Sequence, residues 1–410
     1  MSTHCGDKAW KSVFFKGQHM NKTILSIALA CVSGLTAHAQ YNGKGYYRIQ
    51  NVVTERYMSL CDNYSQGINY TTTTVDAGAL VTKKNFDEVV TDPGTIFYIQ
   101  DVSDTEYNIS AQGANLYNMI KYYIRLQALN DGSYRAWQID QGQMLFLSDR
   151  NNNPTAEQSY VDTKTSSTQK WYIKPVNVDD NYIGIKPMFE CGGKYYATFY
   201  ADFAFSFASS GMRAMYINKI QYNGTATYKV IEGTVPAGTP VIIECSSSSP
   251  ADNKLQIETT SPAAINDNLL TGVYFGMGVR ASDHFNCTPF DSTSMRVLGI
   301  SEDGRLAINN ADTYMADILT KVGAKYDYTY PTIKAIPHNT AYVKVSSTIP
   351  TELKLYADGD PTGIEEVNGS DNTPCKIYNL NGMVVRQSAT TTEGLPQGVY
   401  LFKGKKVVVR

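Results

Sequence analysis

The chain carries little charge and little histidine. Only 18% of its 410 residues are charged, the formal net charge is −2, and there are five His. That balance argues against an electrostatic nucleic-acid binder. No apolar run reaches the ~18 residues a membrane-spanning helix needs. The seven Cys are scattered, with no C-x-x-C, which is neither a zinc site nor a disulfide framework. H-E-x-x-H, P-loop and calcium-loop patterns are missing, and Gly276-Met277-Gly278 lacks the third Gly of a dinucleotide loop. Asp283-His284 lies near Ser282 and Ser292, yet no G-x-S-x-G elbow accompanies them. No cofactor, no metal and no catalytic residue is therefore indicated. A glycosidase carboxylate pair stays open, because its separation is a distance in space rather than in sequence.

What the chain does have is 30 Tyr, 14 Phe and 31 Gly, with 42% hydrophobic residues. This composition favours short strands and turns over long helices. The length suits two or three domains. An all-β, multi-domain protein is expected.

Residues 1–39 read as an address. Met20-Asn21-Lys22 is a short positive start, Ile24 to Val32 an apolar core, and Ala37-His38-Ala39 a small-residue cleavage site before Gln40. This order is that of a secretory signal peptide, with translation starting at Met20. A lipoprotein reading through Cys31 fits less well, because its apolar core would be short. After cleavage the cysteines are Cys61, Cys191, Cys245, Cys287 and Cys375, and the histidines His284 and His338. The cysteines read as small buried apolar residues, with one bridged pair left open.

Residues 40–177 repeat. Tyr47-Arg48-Ile49, Phe97-Tyr98-Ile99, Trp137-Gln138-Ile139 and Trp171-Tyr172-Ile173 share an aromatic-x-Ile pattern at spacings of 50, 40 and 34. Residues two apart on a strand share a face, so each segment should point a ring and an Ile into one core. Asn130-Asp131-Gly132 marks a hairpin. Three units of about 40 residues suit a threefold closed β-structure better than a propeller or a solenoid. With Gln169-Lys170-Trp171 matching the Gln-x-Trp signature, this stretch resembles the ricin-type β-trefoil lectins. Phe97 and Trp137 fill the Trp place of the other two repeats without the preceding Gln. The resemblance implies shallow sugar pockets built from an Asp, an aromatic platform and an Asn or Gln. The positions that match are Asp62, Asn63 and Tyr64, and Asp149 with Asn151. A carboxylate accepts hydrogen bonds from sugar hydroxyls while a ring covers the apolar pyranose face. These same residue types also end strands as turns. Trp137 and Trp171 are expected in the core.

Residues 182–357 read as a β-sandwich-like domain. Phe203, Phe205 and Phe207 alternate, Tyr222-Asn223-Gly224-Thr225 is a hairpin turn, and Val235–Gly238 and Ile336–Asn339 are turns that feed buried strands. Ala311–Val322 is the one expected short helix, capped by Asp312. The order of parts is similar to that in secreted proteins of anaerobic Gram-negative bacteria. Residues 358–373 form a polar linker. Residues 374–410, with Ile377-Tyr378-Asn379-Leu380-Asn381-Gly382 and Leu395-Pro396-Gln397-Gly398-Val399-Tyr400-Leu401, form a small C-terminal β module. This resembles the sorting domain of type IX secretion substrates in a short form.

The expected function is that of an exported, cell-surface, non-catalytic carbohydrate-binding protein. Its partners would be glycans or glycoproteins and the outer-membrane secretion machinery, with no nucleic acid and no transmembrane span. A structural or adhesive surface protein and a glycan-degrading hydrolase with its site in 182–357 are the alternatives. Amino-terminal sequencing of the exported protein should begin at Gln40; a blocked or lipid-modified Cys31 would contradict that reading.

Overall fold

The computed structural model describes residues 41–60, 80–111, 114–115, 124–163, 167–273, 288–319, 322–324, 327–329, 332–359, 374–380, 382–402 and 405–409. The fold is all-β. The first sheet holds twelve strands. They are β1 (Gly45–Asn51), β2 (Tyr57–Leu60), β3 (Leu80–Lys83), β4 (Phe97–Asp101), β5 (Glu106–Ala111), β6 (Ala114–Asn115), β7 (Ile124–Ala128), β8 (Tyr134–Asp140), β9 (Gln143–Phe146), β10 (Ser148–Asp149), β11 (Gln158–Asp162) and β12 (Lys170–Pro175).

Six of these strands close a ring. The order β1-β12-β8-β7-β5-β4 returns to β1 through an antiparallel β1–β4 ladder that pairs Tyr47 with Phe97. Closure leaves these six strands without a free edge. A second run, β2-β3-β11-β10, branches off β1 and ties the first segment to the last.

The ring's interior follows from strand parity. Tyr47, Ile49, Phe97, Ile99, Trp171 and Ile173 all lie in one buried core. Ile49 stands opposite Ile173, and Trp171 opposite Tyr134. The Trp171 indole Nε1–H donates to the Leu147 carbonyl at 3.0 Å. The remaining aromatic-x-Ile segment departs from the expectation. Because Tyr134 shares its face with Trp171, the inward residues of β8 are Tyr134 and Ala136, and Trp137 and Ile139 fall on the opposite face. Trp137 is half-buried on the outside of the barrel and Ile139 is 41% exposed. A shift of one residue in a strand moves every side chain to the other face.

The outer face of β1 is buried too. Tyr46, Ile96 and Val176 pack into the core of the next region, with the Tyr46 and Phe203 rings 5.8 Å apart. On that face Arg48 is fully buried and forms no ion pair with a described carboxylate. Its Nη1 donates to the Tyr182 carbonyl (2.8 Å) and to Asn181 Oδ1 (3.0 Å), and its Nε to Thr95 Oγ1 (3.0 Å). Burial pushes this guanidinium down to about 10, and hydrogen bonds to neutral acceptors keep it tolerable in the interior. The first sheet ends at Pro175 and the next begins at Ile183, and the hydrophobic packing runs across this change.

Residues 183–357 are sandwich-like. A ten-stranded sheet has Val241–Cys245 as the third strand from one edge, hydrogen-bonded between Lys194–Phe199 and Arg213–Gln221. All five residues of Val241–Cys245 are buried, as a strand covered on both faces requires. Val241, Ile243 and Cys245 join Phe199, Phe203 and Phe205 in one core. Ile242 joins Met215, Ile217, Leu298, Val343 and Leu353 in another. A three-stranded sheet of Ile183–Gly184, Lys254–Glu258 and Ala204–Phe207 accompanies the first of these cores. Asn339 takes a positive φ of 55° at the turn before Thr340–Lys344, the backbone angle anticipated for that site.

The expected helix at Ala311–Val322 is not formed. Ala316–Leu319 is a strand paired with Thr332–Ile336, and Asp312 opens a turn by accepting the Met315 N–H at 3.0 Å. A ladder partner outweighed weak helix propensity. Among the described residues the α-helix is instead Phe86–Thr91, capped by Asn85, with Val89 and Val90 buried. The linker at 358–373 lies almost wholly outside the described residues. Past it, Cys375–Asn379, Val384–Ala389, Gly398–Phe402 and Lys405–Val409 form a separate four-stranded sheet around Ile377, Tyr400 and Phe402.

Burial, helped by nearby carboxylates, holds Tyr46, Tyr196 and Cys245 up at about 12. The native state keeps these protons after the unfolded chain has begun to lose them, near 9 for Cys and 10 for Tyr. The stability they contribute is complete below that range and is lost as pH rises to about 12. Thermal melting as a function of pH should therefore show Tm falling steeply between about pH 9 and 12, and less steeply in Cys245→Ala.

Candidate functional site

The sequence places candidate ligand-binding residues in two groups. Asp62, Asn63 and Tyr64 lie outside the described residues. The second group is described, and its carboxylate is not where a pocket needs it. Asp149, on β10, is 0% exposed. Its Oδ2 accepts from Thr54 Oγ1 (2.6 Å), Arg56 Nε (2.9 Å) and Arg56 Nη2 (2.8 Å). Arg56 is equally buried and donates onward to the carbonyls of Asn151, Asn153 (2.8 Å) and Ala156 (2.9 Å). The expectation of an open pocket at Asp149 is thus corrected: the group sits in an interior ion pair that staples the loop after β10 to the turn between β1 and β2.

Asn151 is exposed, and its side chain caps its own turn. Oδ1 accepts the Asn153 N–H at 3.0 Å, and the Asn151 N–H donates to Ser159 Oγ at 2.9 Å. This is the turn role that Asn residues take by bonding the backbone two positions on.

The alternative of a hydrolase directs attention to carboxylates in 182–357. The most deeply held is Glu244, 4% exposed. It accepts from Arg213 Nη2 (2.6 Å) and Nε (3.0 Å) and from Tyr196 OH (3.3 Å), with Lys194 Nζ at 3.5 Å. These contacts tie Lys194–Phe199, Arg213–Gln221 and Val241–Cys245 together through side chains as well as through their ladders. No cluster of three or more His, Cys, Asp and Glu able to hold a metal occurs among the described residues. His284 lies outside those residues, and His338 is a half-buried turn residue.

The surface feature that sequence reasoning missed is on the outer wall of the barrel. Trp137, assigned from its pattern to the core, stands there between Arg125 of β7 and Phe146 of β9. The Arg125 guanidinium lies 5.1 Å from the Trp137 ring centroid, and that of Arg135 lies 5.6 Å from the Phe146 ring. The parity of β8 relative to Trp171 would have found it, and parity is set by pairing rather than by composition.

No family model and no curated protein matches the chain. Among solved structures, a chain of a mosquitocidal holotoxin is similar at 10% identity with a TM-score of 0.23; the alignment covers 83% of this chain and 54% of the toxin chain. Similarity at that level carries no argument about fold or function.

Replacing Asp149 by Ala leaves a buried guanidinium without its counter-charge. The expected cost in chemical denaturation is ~3–5 kcal/mol. The double replacement Arg56→Met, Asp149→Leu should recover a large part of it, because no lone charge then remains in the interior. A pocket residue would show neither the loss nor the recovery.

Proposed function

We propose that this chain is an exported, cell-surface, non-catalytic carbohydrate-binding protein whose 45–175 barrel is a trefoil of the ricin-lectin kind. One observation supports the reading: six strands close into a ring through β1–β4, and Tyr47, Phe97 and Trp171, from three of the repeated segments, share its interior. Export rests on the signal-peptide pattern before Gln40. Transfer to the surface rests on the four-stranded C-terminal module, which would engage the outer-membrane secretion machinery. A single shallow sugar site buries few ligand atoms, so useful affinity comes from many copies on one surface.

A second reading is favoured by a specific observation. The Asp149 carboxylate, which a sugar would need, is already held by Arg56 and Thr54. On that account the barrel of a structural or adhesive surface protein has lost its ligands.

A glycan array probed with the intact 40–410 chain separates the two. Intact chain is needed because Tyr46 and Ile96 of the barrel region belong to the neighbouring core. The lectin reading expects selective binding, and expects Asp62→Ala to weaken or abolish binding at the first-repeat site with little change in Tm. Absence of binding to every glycan at micromolar protein would establish the structural reading instead.

A further inference from the structure

The outer wall of the barrel combines aromatic faces with a cation that nothing else uses. Arg125, Trp137 and Phe146 form one cross-strand row over β7, β8 and β9, and Arg135 lies two residues along β8 on the same face. Ile139 (41% exposed) and Met144 (53% exposed) stand opposite each other at its rim. Among the described residues β9 pairs only with β8, so no further strand covers this row.

The charges on this face nearly cancel. Arg125 is ion-paired with Glu106. Lys170, across from Arg135, is ion-paired with Asp131 at 2.6 Å. Arg135 makes no ion pair with any described residue, and its Nε is buried without an acceptor. Its guanidinium lies over the Phe146 ring. A guanidinium presents a planar fork that matches a carboxylate or a sulfate, and such charge-assisted pairs are the strong ones. Rings beside it offer a surface for an apolar ligand face.

We propose that this face binds an acidic glycan. Arg135 takes the carboxylate or sulfate, and Trp137 with Phe146 flanks the apolar side of the sugar ring. The inference rests on the carbohydrate-binding reading above, but it names the ligand class and assigns it to residues other than Asp62. A glycan fits better than a protein partner. A stable protein interface buries roughly 1,200–2,000 Å², whereas this patch amounts to a few half-exposed side chains. One charge anchor and one or two ring faces are enough for a sugar residue.

The test is binding of the intact 40–410 chain to immobilised heparin, polygalacturonate and dextran, which are sulfated, carboxylated and neutral. Binding is expected to heparin or polygalacturonate and not to dextran, and it should weaken with added salt. Which of the two acidic polymers binds identifies the anion. Arg135→Gln and Trp137→Ala should each lower affinity by ~10-fold or more. Met144→Glu, at an exposed position, should lower it by charge repulsion. Acidic-glycan binding that survives Arg135→Gln, Trp137→Ala and Met144→Glu sinks the site while leaving the lectin reading intact. Binding to dextran alone, lost in Asp62→Ala, does the same. Absence of binding to any of these polymers overturns the inference, and absence across the full array overturns the lectin reading with it. Self-association that Met144→Glu abolishes, without polysaccharide binding, assigns the face to a protein contact instead and also overturns it. If Trp137→Ala fails to fold, Arg135→Gln and Met144→Glu decide.

Discussion

Strand β1 is asked to be buried on both faces. Tyr47 and Ile49 point into the barrel, while Tyr46 packs into the neighbouring core and Arg48 is held beside it by Asn181 and Tyr182. The same strand supplies the ladder to β4 that closes the ring and the ladder to β12 that joins the two ends of the barrel sequence. Moving β1 by one residue would put Arg48 among the barrel's aromatics and expel Tyr47. The register of this strand therefore sets the barrel interior and the junction with the sandwich together.

Three arginines make the loops around these cores rigid by the same device. Arg48, Arg56 and Arg296 are each at most 2% exposed. Arg296 donates to the carbonyls of Met295 (2.8 Å), Ser292 (2.9 Å), Pro350 (2.9 Å) and Ile349 (3.0 Å). Loop carbonyls would otherwise be buried unpaired, and a guanidinium with five donors satisfies several of them at once. Among the three, Arg56 forms a direct ion pair with a described carboxylate, that of Asp149. A residue whose neighbours in sequence suggest a sugar contact is instead part of the scaffold.

Much of the architecture was legible from the residues. Alternation in Phe203–Phe207, the Asn130–Gly132 and Asn223-Gly224 turns and the run before Val241 all correspond to strands and connections in the structure. Three of the four aromatic-x-Ile segments fill one core. The fourth shows why pattern alone falls short: Trp137 and Trp171 carry the same local motif but sit on opposite faces, because cross-strand pairing, not motif, decides which side of a strand is inside. The Ala316–Leu319 strand was missed for a related reason, since its partner lies in Thr332–Ile336 and local propensity does not see it. At the candidate site Asn151 behaves as its turn chemistry suggested. Asp149 does not follow the pocket reading, because its partner Arg56 is 93 residues away in the chain.

The sequence by itself determined the all-β class and the positions of several turns. These depend on side-chain period, on Gly and Asn backbone freedom and on composition, all of which are local properties. The tertiary structure alone decided which face of β8 is buried, that Asp149 is an interior counter-ion, that Arg135 has none, and that the barrel and the sandwich share hydrophobic packing. Each of these is settled by contacts between residues far apart in the chain, where burial and charge pairing outweigh any local preference.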